Sequence, residues 1–135
     1  MNQNIINPTR PLEYVCFFSF EVPTKDGNAY VFLAVDAYSK FAFQTGVELN
    51  DNPETIIKHL YLLTELPDFA KQMGKGFTLV LHKYQEIEDK INLVINPVGG
   101  KILFDGNFLS KITMLVIKNM IQRMEMGNFS KDEST

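Results

Sequence analysis

The chain has 135 residues, 45% hydrophobic and 21% charged, with a formal net charge of −3. That suits one ordinary globular domain with its own core and no need of staples. A single cysteine, Cys16, excludes an internal disulfide and a cysteine-cluster zinc site, and the 13 lysines and arginines form no basic run of the kind that drives phosphate binding.

Residues 1–11, MNQNIINPTRP, are polar with two prolines and read as a flexible lead-in. They lack the charged start and apolar block of a signal peptide. No apolar run approaches the roughly 18 residues of a membrane span, so a cytoplasmic protein without a membrane partner is expected. From Leu12 the pattern turns to strand. EYVCFFSFEV is dense in aromatic and β-branched residues, and Cys16 inside it reads as a buried, inert thiol. PTKDGN supplies hairpin chemistry at Asp26-Gly27. AYVFLAVDAY and SKFAFQTGVEL follow as second and third strands, with a bend at Tyr38–Ser39, so residues 12–49 read as an antiparallel meander.

NDNPETIIKHLYLLTEL then switches to helical spacing. Asp51 or Asn52 suits the cap, Pro53 the first helical position and Glu54 the positive end. Ile56, Leu60 and Leu63 line its apolar face, and His59 is expected on its surface. Pro67 breaks the segment, and Met73-Gly74-Lys75-Gly76 ends it. FTLVLH reads as a buried strand, KYQEIEDKI as a short polar helix, NLVINPV as a fifth strand, and KILF as a further short one. From Asp105 a last helix is expected to about Met126, with Gly127 at its C-cap and 128–135 as a disordered tail. Residues 12–127 thus form the single domain. The last helix carries apolar residues on more than one stripe, which suits burial or a partner.

That order, with "YVFLAVDAYSKFAF" at residues 30–43, resembles the ribonuclease H-like fold, and more narrowly the catalytic core of integrases and insertion-sequence transposases. The strand-two stretch LAVDAYSKFAF is similar to the family pattern of apolar residues, Asp, Tyr-Ser-Arg and an apolar third strand, with Lys40 in place of Arg. The motif match covers about residues 12–66. The resemblance implies an α/β fold: a mixed five-stranded sheet, a three-strand meander followed by alternating strands and helices, with helices on its faces.

It also implies three carboxylates that hold two divalent metals at a phosphodiester. The first should lie in strand one, where Phe17 or Phe18 stands, with Glu21 the nearby carboxylate. The second should end strand four, where His82-Lys83-Tyr84 stands. The third should open the last helix, where Asp105 stands and reads as an N-cap. Asp36 reads as a turn residue accepting backbone N–H bonds near Ser39. Two of the three acids are missing, so the expectation is a degenerate active site: a non-catalytic integrase-core-like domain that binds protein or self-associates through the last helix or the meander, with no cofactor. The alternative is a divergent metal-dependent nuclease or transposase on DNA, using Mg²⁺ or Mn²⁺ at Asp36, His82 and Asp105, with Glu21 in support.

Overall fold

The structure is a computed structural model, and it describes residues 6–70 and 75–134; side chains are described throughout except at 68, 121 and 123–134. Residues 1–5 of the lead-in, 71–74 of the loop expected to close the helical segment, and residue 135 lie outside it.

The meander forms as expected. β1 (Tyr14–Thr24) and β2 (Gly27–Asp36) pair antiparallel through a tight turn at Lys25-Asp26, and β3 (Ala42–Glu48) pairs with β2. Gly27 has φ +123, a conformation open to glycine and strained for other residues. α1 (Pro53–Thr64) is capped by Asn52, whose side-chain oxygen accepts the Thr55 N–H at 3.1 Å. α2 (Pro67–Ala70) is one turn beyond the expected break. β4 (Phe77–Leu81) runs parallel to β1, and β5 (Gly100–Phe104) parallel to β4. The result is a mixed five-stranded sheet in the order β3-β2-β1-β4-β5.

Two elements differ from the sequence reading. NLVINPV is no strand: α3 (Glu88–Ile95) runs through it and a 3-10 turn, Asn96–Val98, ends it at Pro97 and Gly99. The buried Ile87, Ile91, Val94 and Ile95 have helical spacing, which wins over the β-branched composition. The fifth strand is KILF and its preceding glycine. The last helix, α4 (Gly106–Ser134), passes through Gly127, so residues 128–134, expected as a tail, are helical. A lone glycine costs a helix about 1 kcal/mol, which weakens it without ending it.

Side-chain alternation splits the core between the sheet's two faces. Phe17, Phe32, Ala34 and Leu79 face α1 and α3; Cys16, Phe18, Leu33, Val35 and Val80 face Leu109, Ile112 and Val116 of α4. Cys16 is fully buried, and burial pushes its thiol up to about 12. We expect iodoacetamide at pH 8 to leave Cys16 unmodified until denaturant is added; rapid labelling of the folded protein would contradict this packing. Among the described residues, no helix is long and apolar enough to cross a membrane.

Candidate functional site

The parallel pairing of β1 and β4 decides which side chains meet at the C-terminal edge of the sheet. Cys16 lies beside Val80. Continuing that register sets Phe18 at the level of His82, both on the α4 face. Phe17 points to the other face and stacks against Phe32 with ring centroids 6.2 Å apart. The residue at the expected first-acid position on the α4 side is therefore Phe18, which is 2% exposed.

α4 begins directly over this edge. The Asp105 N–H donates to the Leu81 carbonyl at 2.9 Å, while its Oδ1 accepts the Phe108 N–H at 3.0 Å. Asp105 thus caps α4, as its place in the sequence implied. A Cβ at Gly106 would sit 3.6 Å from the His82 Cβ, so the helix start packs against His82. A groove of about 250 Å³ opens there between Phe18, Phe20, His82, Ser110, Thr113 and Met114. One of its polar groups is already engaged: the Thr113 hydroxyl donates back to the Leu109 carbonyl at 2.6 Å. Desolvation, and then the Lys83 ammonium, hold the His82 pKa below the ordinary histidine value. Both effects favour the neutral imidazole.

The other candidates lie elsewhere. Asp36 pairs with Val15, near the opposite end of β1, and alternation turns it to the α1 face. It is 3% exposed. Its Oδ1 accepts the N–H groups of Leu12 (2.9 Å) and Tyr38 (3.1 Å), and its Oδ2 accepts the Ser39 hydroxyl (2.7 Å) and N–H (3.4 Å). Its carboxylate is thus a turn anchor tying Leu12, just before β1, to the β2–β3 connection. Glu21 pairs with Tyr30 on the hairpin and accepts the Asn28 side-chain amide. Lys83 turns to Asp51 at 3.3 Å, and Tyr84 packs into the α1–α3 core. Asp105 reaches the edge at His82 through its backbone, by its N–H on the Leu81 carbonyl, while its carboxylate turns to the Phe108 N–H; Asp36 and Glu21 are not brought there. Among the described residues no three His, Cys, Asp or Glu side chains group as metal ligands.

One polar cluster is absent from the sequence reading. His59, expected at the surface, is 1% exposed. Its ring stacks on Phe32 at 4.2 Å, with Nδ1 2.8 Å from the Thr45 hydroxyl and Nε2 2.7 Å from Glu48 Oε2. The signal was present in the sequence: His59 lies three residues after Ile56 and four before Leu63, on the apolar face of α1.

No protein-family model matches the chain, and no curated protein matches it by sequence. Among solved structures, the chain is similar to the HTLV-2 integrase catalytic core domain, determined in complex with magnesium in a dimeric form. The TM-score is 0.58 at 13% identity, over 87% of this chain and 74% of that one. The likeness shows that this chain has the ribonuclease H-like fold of an integrase core.

Proposed function

We propose that this is a non-catalytic integrase-core-like domain that acts by binding, through self-association. The observation that carries the first part is Phe18, standing at the level of His82 and facing α4, where cores of this type assemble their metal-binding acids. Mg²⁺ takes oxygen ligands in near-octahedral geometry. A phenyl ring offers none, and an imidazole is a poor substitute. The residues present therefore do not fit a two-metal centre. A rearranged nuclease centre built from Asp36, His82 and Asp105 also loses support, because Asp36 lies on the opposite face of the sheet.

Calorimetric titration with Mg²⁺ and Mn²⁺, followed by a cleavage assay on branched and single-stranded DNA, tests this part. Neither binding nor cleavage is expected. Metal binding abolished by His82→Ala or Asp105→Ala would overturn it.

Self-association is supported by the face of α4 turned away from the sheet. Met114 is 71% and Leu115 50% exposed, side by side on a helix whose Leu109, Ile112 and Val116 already pack on the sheet. A second copy of the same helix would cover this apolar strip. Sedimentation equilibrium should show a dimer that Leu115→Glu returns to monomer. A wild-type protein that stays monomeric at every concentration sinks this part.

A further inference from the structure

We propose that the cavity at the N-terminal edge of the sheet binds a small oxyanion, a phosphate or carboxylate group, through Arg10, Lys75 and Lys101. The cavity measures about 300 Å³ and includes Arg10, Glu13, Tyr14, Lys75, Thr78 and Lys101 in its wall. It lies where β1, β4 and β5 begin: Tyr14 pairs with Thr78, and Thr78 with Lys101. The groove at Phe18 and His82 is at the other end of the same strands, so the two sites are separate and this inference stands apart from the proposed function.

Charge and hydrogen bonding both point to an anion. The wall carries three cationic side chains against one carboxylate. That carboxylate, Glu13, already accepts the Thr9 N–H at 2.7 Å and the Thr9 hydroxyl at 3.1 Å. Arg10 is fixed in place, since its Nη2 donates to the carbonyls of Lys75 (3.1 Å) and Gly76 (2.9 Å). Its Nη1 is buried and, among the described residues, has no hydrogen-bond partner. A guanidinium is always charged and presents its donors in a planar fork. A buried cationic donor without an acceptor is unfavourable, and an oxyanion supplies the missing acceptor in the geometry that fork prefers. Lys75 and Lys101 are exposed at the same wall and add two mobile ammonium groups.

The test uses the full chain at constant ionic strength, with inorganic phosphate and acetate titrated separately against a chloride control. Thermal unfolding and calorimetry are the readouts. We expect a saturable rise in Tm with at least one of the two anions. Lys101→Gln should weaken that binding about tenfold, the scale of one charge-assisted hydrogen bond. Glu13→Gln, which removes the opposing charge, should tighten it. Arg10→Gln also loses the two carbonyl bonds, so the Lys101 and Glu13 variants carry the decision. The proposal is overturned if neither anion does better than chloride, or if both variants bind as the wild type does.

Discussion

Asp36→Ala is expected to destabilise the fold by about 3–4 kcal/mol, the scale for removing a buried charged acceptor from several donors. The carboxylate accepts the Leu12, Tyr38 and Ser39 N–H groups together with the Ser39 hydroxyl. Leu12 is 5% exposed, so its N–H would be left in the core without water to replace the lost partner. Asp36→Asn should lose less, because it keeps one acceptor oxygen for the Leu12 and Tyr38 N–H groups, but it should still lose some stability, because its amide nitrogen is a donor facing the Ser39 N–H. Urea unfolding followed by circular dichroism measures both. If alanine cost no more than a surface substitution, about 0.5 kcal/mol, Asp36 would have no anchoring role, and its burial would need a different account.

Truncating His59 to alanine should cost about 3 kcal/mol, combining a cavity beneath α1 with the loss of two hydrogen bonds. The ring is the main polar link between α1 and β3. A bulge supports it: Phe32 pairs with Gly46 and Leu33 with Gln44, which leaves Thr45 as the extra residue, with its hydroxyl on Nδ1. Gly46, at φ +153, lets the ring pass; a Cβ there would stand 2.8 Å from the His59 Cε1. Gly46→Ala should therefore cost more in the wild type than in the His59→Ala background, where the ring is gone. A double-mutant cycle reads this coupling directly, and strict additivity would contradict the packing.

The same cluster has an acid dependence. Hydrogen bonds from Lys58 and His59 lower the Glu48 pKa. Its contribution is therefore complete above the unfolded carboxylate pKa and is lost as pH falls through the lower folded value. His59→Ala removes one of the two donors, so Glu48 should protonate at higher pH. Its share of stability should then be lost earlier on acidification.

Local chemistry was legible in the sequence wherever one short stretch contains the whole cause. The Asn52 cap with Pro53, the hairpin turn at Lys25-Asp26 that Gly27 follows, the turn anchored by Asp36 and the Asp105 cap each involve partners a few residues apart. The strand-two stretch carried the fold class for the same reason. α3 was misread because a short apolar run bounded by proline and glycine suits strand or helix, and burial of Ile91, Val94 and Ile95 against the sheet chose the helix.

What the sequence determined by itself is the meander, the N-caps and turns that one short stretch contains, and the lack of a carboxylate at either Phe17 or Phe18. Which phenylalanine faces α4 is a matter of register, and one residue of slip exchanges the two faces of a strand. Only the parallel pairing of β1 with β4 set Phe18 level with His82, and only the antiparallel pairing of β1 with β2 put Asp36 beside Val15 on the other face. Helical spacing put His59 on the apolar face of α1, but only tertiary packing gave it Thr45 and Glu48 as partners and gathered Arg10, Lys75 and Lys101 around one cavity. Those contacts join residues far apart along the chain. No local propensity records them, because their energy exists only once the sheet has closed.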